Sequence, residues 1–107
     1  MRSSSPKTAH LFAALGDETR LRLVSRLCGA GPMSIARLTE GTKITRQAVA
    51  KHLRVMERSG LVHSHRQGRE TLWQLEQRRL EEASHYLDIV SKQWDAALLR
   101  LRKFVED

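Results

Sequence analysis

The sequence predicts a mainly α-helical fold carrying one small β-hairpin, and three observations predict it. Apolar residues recur at spacings of three and four along several stretches. One segment, "GLVHSHRQGRETLWQL" from Gly60 to Leu75, instead alternates about a "QG" pair. Gly, Pro and capping residues separate these segments at short intervals. With 107 residues, a single hydrophobic core is expected.

The elements follow in order. Residues 1–7, "MRSSSPK", are polar with nothing to pack and read as a mobile arm. "TAHLFAALGD" gives a short helix with Leu11 and Leu15 on one face, ended by Gly16. Asp17 stands where it can N-cap a second helix, in which Leu21, Val24 and Cys28 follow at steps of three and four with Leu23 and Leu27 beside them. Cys28 on that stripe reads as a small buried core residue. Gly29, Gly31 and Pro32 stop this helix, Ser34 caps a brief third one carrying Ile35 and Leu38, and "EGTKI" turns the chain.

The next stretch, "TRQAVAKHLRVMERSGLV" from Thr45 to Val62, divides on a helical wheel. Arg46, Gln47, Ala50, Lys51, Arg54, Glu57 and Arg58 fall within an arc of roughly 140°, and Ala48, Val49, Leu53, Val55 and Met56 lie opposite. One face suits a core. The other suits a DNA major groove, because Arg grips guanine O6 and N7, Gln does the same at adenine, and further bases neutralise phosphates around the small Ala50. Thr45, as N-cap, stands where free amides and the positive end of the helix dipole meet a phosphate. His52, at the edge of the apolar arc, reads as a hydrogen-bonded structural histidine.

A short helix, a tight turn and a second helix make a helix-turn-helix, and the hairpin that follows supplies a wing. In it Val62, Ser64 and Arg66 alternate with His63 and His65, Gly68 takes positive φ at the turn, and Thr71, Trp73 and Leu75 form the returning strand. Arg66 and Arg69 bracket the tip and face DNA in this reading. The overall balance agrees: 19 Lys and Arg against 12 Asp and Glu leave +7, which favours a polyanionic partner.

The tail is different in kind. Leu80, Ala83, Leu87, Val90, Trp94, Ala97, Leu101 and Phe104 recur at alternating steps of three and four, a heptad seam. A helix from about Arg78 to Val105 would run on the order of 40 Å, more than one small domain needs, and Tyr86, Ile89 and Leu98 widen its apolar surface. A second copy of the chain is the expected partner. The expected organisation is an arm over residues 1–7, a DNA-binding core over 8–76, and a dimerisation helix over 77–107 packed with the first helix.

"ALGDETRLRLVSRL" (Ala14 to Leu27), "SIARLTEGTKITRQAVAKHLRVMERSGLV" (Ser34 to Val62) and "RQGRETLWQL" (Arg66 to Leu75) resemble the winged-helix bacterial repressors of the ArsR type, and the likeness runs from Ala9 onward. The resemblance implies a winged helix-turn-helix regulator of transcription that binds a double-stranded operator as a homodimer. In such a protein the fourth helix enters the major groove, and the first and last helices build the dimer. DNA contacts are then expected at Thr45, Arg46, Gln47, Lys51, Arg54, Arg58, Arg66 and Arg69, and dimer contacts at Leu11, Leu87, Val90, Trp94, Ala97, Leu101 and Phe104. A weakly specific architectural protein would share the charge and the fold without the base readout.

Metal-sensing relatives resemble one another in paired cysteines on the helix before the recognition helix, where this chain reads "SIARLTE". In the last helix only His85 and Asp88 stand close together, too few for a closed zinc site. No metal or cofactor is therefore expected, and no effector can be named from the residues. A glycine-rich phosphate loop and a nucleophilic triad are both missing, so catalysis is not expected. The lone Cys28 and the shortness of every apolar run point to a reducing, cytoplasmic setting without a membrane span.

Overall fold

Pro6–Leu15 (α1), Glu18–Ala30 (α2), Ile35–Thr39 (α3), Arg46–Arg58 (α4), the strands Val62–Gln67 (β1) and Glu70–Leu75 (β2), and Gln77–Glu106 (α5) succeed one another in the computed structural model, which describes residues 6–106. The mainly helical fold with one hairpin is thus observed. α1 starts earlier than expected, so that Pro6 and Lys7 belong to a helix rather than to the arm. Proline suits a first helical position, where its missing N–H has no intrahelical partner to lose. The rest of the expected arm, residues 1–5, lies outside the described residues.

Three helix starts rest on the residues nominated for them. Asp17 accepts from the Arg20 N–H at 3.0 Å, Ser34 from Arg37 at 3.2 Å and Thr45 from Ala48 at 3.1 Å. Each side chain satisfies one first-turn amide that the helix itself cannot. The hydrogen bond from the Arg20 amide, foremost, holds the Asp17 carboxyl below the usual carboxylate range, with the charge of Arg20 adding to it.

Every element sends side chains into one core. Val49, Leu53 and Met56 of α4 are fully enclosed, against Leu11 of α1, Leu23 and Leu27 of α2, Leu38 of α3, and Leu61, Val62 and Trp73 around the hairpin. Two expectations are corrected here. Leu11, nominated for contact with a second chain, is 0% exposed within its own, because α1 packs against α2, α4 and α5 and turns that residue inward. Cys28, expected in the core, is exposed. Two apolar stripes overlap on α2, and burial has taken the one through Leu23 and Leu27. Leu21 and Cys28 lie about 120–140° farther round the helix, and Leu21 is accordingly half exposed.

The hairpin pairs Val62 with Leu75 at its base and Gln67 with Glu70 at its tip. Gly68 adopts φ +66° and, among the described residues, no residue other than glycine takes positive φ, so the two-residue turn has the left-handed conformation only at its first position, the pattern of a type II′ turn. A third strand position was not foreseen. Met33, in the short link before α3, exchanges two backbone hydrogen bonds with Trp73, at 3.0 and 2.8 Å. The wing is thereby tied to the start of the helix-turn-helix.

α5 contributes Ala83 to the core near its start, whereas Leu87, Trp94, Leu98, Leu101 and Phe104 farther along are more than half exposed. Its thirty residues extend one molecular dimension to 64 Å.

Leu53→Ala is expected to cost about 2–5 kcal/mol in urea unfolding, since an enclosed leucine leaves both lost burial and a cavity. A second expectation follows from Asp17. Its folded-state value is lowered, so its charge stabilises the protein above about pH 4 and that contribution is lost as pH falls through the lowered value. Asp17→Asn keeps a capping oxygen but does not titrate. Urea midpoints should favour the parent at pH 7 and converge with the variant toward pH 3.

Candidate nucleic-acid interface

α3 and α4 form the two helices of the turn motif, and the wheel drawn from the sequence is realised in three dimensions. Val49, Leu53 and Met56 are fully buried, while Arg46, Gln47, Lys51, Arg54, Glu57 and Arg58 are exposed and Ala50 is half-buried among them. Thr45 lies exposed at the helix N-terminus with its hydroxyl oxygen on the Ala48 amide. The amides of Arg46 and Gln47 precede it in the first turn, at the positive end of the helix. The nominated residues of α4 therefore share one face.

The flank of that face is held by polar contacts. Arg20 donates from Nη1 to Nδ1 of His52 at 3.3 Å and from Nε to the Ala14 carbonyl at 2.5 Å, joining α2 to α1 and α4. His52 also stands 3.8 Å from the Asp17 carboxylate, so it is a hydrogen-bonded structural histidine as expected. At its far end α4 closes with paired bonds, Gly60 N–H to the Glu57 carbonyl and Leu61 N–H to that of Met56, both 2.9 Å. Gly60 supplies the φ of +78° that this cap demands of a residue after the helix.

Sequence reasoning missed Arg26. Its guanidinium donates to the carbonyls of Leu38 and Glu40, each at 2.9 Å, and to that of Arg37 at 3.0 Å. A five-residue helix such as α3 has few bonds of its own, so a cation on its last carbonyls both satisfies them and complements its negative end. The partners lie eleven to fourteen residues away, and no local pattern in the sequence marks them.

The wing carries Arg66 and Arg69, both exposed, with Arg66 opposite Thr71 and Arg69 in the turn itself. These two belong to a different element from the α4 set, at the hairpin end remote from the core. His65 is exposed, while His63 is half-buried with Nδ1 3.1 Å from a Glu76 carboxylate oxygen. Among the described residues no three His, Cys, Asp or Glu side chains gather as metal ligands would, and no helix is long and apolar enough to cross a membrane.

A family described as a helix-turn-helix domain matches residues 15–65, the span from the end of α1 to the wing. An uncharacterised HTH-type transcriptional regulator of Bacillus subtilis (strain 168), YuzN, is 42% identical over 65 residues, covering 55% of this chain and 71% of that protein. The structure of an ArsR-like transcriptional regulator from Rhodococcus sp. RHA1 superposes with a TM-score of 0.72 at 33% identity, over 92% of each chain. A more distant fold neighbour, 19% identical with a TM-score of 0.63 over 92% of this chain and 94% of its own, is a homodimeric winged helix-turn-helix DNA-binding domain of Mycobacterium bovis. With the helix-turn-helix, the basic outer face of α4 and the wing all in place, the chain belongs to the ArsR-type winged helix-turn-helix transcriptional regulators.

Proposed function

We propose that this regulator is a repressor that binds an inverted-repeat operator as a homodimer and acts by occupying promoter DNA. The observation that carries the proposal is the outer face of α4, where Arg46, Gln47, Lys51 and Arg54 stand exposed around a half-buried Ala50 on a helix whose inner face is locked into the core. A rigid helix with bidentate donors at its N-terminal end is suited to base edges, and bases farther along are suited to phosphates. In this reading Gln47, with Arg46 or Lys51, reads sequence, and Thr45, Arg54 and Arg58 hold the backbone. Arg66 and Arg69 reach the duplex from the wing.

The dimer is supported by the surface of α5. Trp94 is 66% exposed and Phe104 82%, in a seam that also includes Leu87 and Leu101, with exposed Leu98 beside it. Val90 and Ala97, half-buried, lie along the same seam. An apolar stripe of this extent on a charged protein marks an interface. A second copy would offer the same stripe in return, and the M. bovis fold neighbour is itself homodimeric.

Competition between operator and bulk DNA tests the proposal. A specific repressor prefers its site by roughly a thousandfold or more, with both modes salt-sensitive. Near-equal affinities would instead make the protein a weakly specific architectural binder. Gln47→Ala is expected to cost about 1–3 kcal/mol on the operator and little on random DNA. Arg54→Ala should weaken both and lower the salt slope, as filter binding across a salt series would read. Equal losses on both DNAs for the two variants would refute that division of roles.

Leu101→Glu places like charges against each other across the seam. The variant should sediment as a monomer where the parent is a dimer, remain folded, and bind a full operator no better than half of one. A monomeric variant that still protects both half-sites at unchanged affinity would refute the symmetric-operator model.

A further inference from the structure

Arg79 joins three helices at one point. It lies in the first turn of α5, and its side chain is only 12% exposed. Nε and Nη2 both donate to the carbonyl of Ser59, at 3.2 and 3.0 Å, and Nη2 also donates to the carbonyl of Lys7 at 3.0 Å. Nη1 pairs with Glu82 one turn along its own helix. Ser59 is the C-cap of α4 and Lys7 lies in the first turn of α1. One guanidinium thus bonds the end of the recognition helix and the start of α1 to the root of α5.

The chemistry of the contact accounts for the residue type. The C-terminal end of a helix is its negative pole, where a cation is favoured, and Ser59 is the residue on which α4 ends. A planar fork can serve two carbonyls in different directions while its third nitrogen is held by a carboxylate, which an ammonium cannot do with the same geometry. Gly60 makes room. A Cβ at that position would stand 3.2 Å from Nε of Arg79 and 3.6 Å from its Cδ. The glycine that caps α4 therefore also admits the guanidinium that ties α4 to α5.

The geometry points to Arg79 as a positioning residue, one that touches no DNA but sets the angle between the recognition helix and the helices of the dimer, and through it the half-site spacing that the protein accepts. This rests on the dimeric operator reading above. Two recognition helices can enter successive major grooves, about 34 Å apart, only if each is held at a fixed angle to the shared axis. Loss of the clamp leaves each α4 folded on its own core through Val49, Leu53 and Met56 but frees its angle to α5.

The test compares the parent with Arg79→Ala, Arg79→Gln and Arg79→Lys, each checked for native circular dichroism and for dimer by sedimentation. Two readouts are taken. The first is binding to one half-site and to full operators whose half-sites are moved closer or farther by single base pairs. The second is the distance distribution between nitroxides on Glu57→Cys in α4 and Lys92→Cys in α5, in a Cys28→Ser background diluted with unlabelled chain so that the distance is within one protomer.

Expected are unchanged half-site affinity, a loss of about tenfold on the best-spaced operator, within the range that coupling residues produce, a flattened spacing preference and a broadened α4–α5 distance. Arg79→Lys should fall between parent and Arg79→Ala, and it carries the test if the alanine and glutamine variants do not fold. Variants that stay dimeric and keep both the narrow distance and the spacing preference would overturn the inference. A parent that shows no spacing preference would refute the two-half-site reading instead, and the distance distribution alone would then decide the role of Arg79.

Discussion

The burial of one face of α4 is the constraint on which the rest of the structure depends. Val49, Leu53 and Met56 are each fully enclosed, and α1, α2, α3 and β1 all pack against that helix. A thirteen-residue helix with four bases on its outer arc would be marginal by itself in water. Packing supplies its stability, so the outer residues need not be chosen for helix formation and are free for the recognition proposed above. The same three apolar side chains that hold the core therefore also determine which residues face outward, and a shift of one position along the helix would turn Arg46 or Arg54 toward the interior.

Apolar burial fixes which face of α4 is inward, but it is not directional, and the angle of the helix needs polar contacts. These sit at its margins. Thr45 caps its start, Arg20 meets His52 on its flank, and Ser59 and Gly60 close its end beneath the Arg79 guanidinium. Arg26 does the corresponding work for α3, whose five residues could not hold three terminal carbonyls in place unaided. Arginine recurs in these places because its planar fork bonds more than one partner at once: three carbonyls for Arg26, two for Arg79, and a carbonyl and a ring nitrogen for Arg20. Several bases that raise the net charge are thus also employed within the fold.

What could be read in the sequence was what depends on neighbours within one turn. The caps at Asp17, Ser34 and Thr45, the two faces of α4 and the Gly68 turn are local patterns, and all appear as expected. What escaped depends on partners far along the chain. Nothing near Met33 announces a ladder with Trp73, forty residues on, and nothing near Arg26 or Arg79 names the carbonyls they hold. The misplacement of Cys28 has a different origin. Two apolar stripes on α2 differ little in hydrophobicity, and only the position of α4 and the hairpin decides which is covered. Leu11 shows the converse, an apolar residue assigned to a partner because the resemblance places the first helix in the dimer, whereas its own core encloses it. Of the candidate site, the α4 residues were legible as a face, while the clamps that orient the face were not.

Charge would oppose the pairing proposed above, and the balance bears on how such a dimer would find DNA. Each chain carries +7, so bringing two together is electrostatically unfavourable. Bases line α5 itself, with Lys92, Arg100, Arg102 and Lys103 outnumbering Asp95 and Glu106 along its second half. Cohesion of a pair must then come from apolar surface such as Trp94 and Phe104, which salt does not weaken, while repulsion is screened within about 8–10 Å at physiological ionic strength. DNA acts on the same terms in the opposite direction. In the dimer proposed above, its phosphates would neutralise the charge that resists pairing, so a bound duplex would stabilise the pair beyond what the seam provides alone, and by linkage pairing would strengthen the hold on DNA to the same degree. Salt consequently favours the free pair and disfavours the bound one, so occupancy of an operator by such a protein is set by the difference between two opposing salt dependences rather than by either alone.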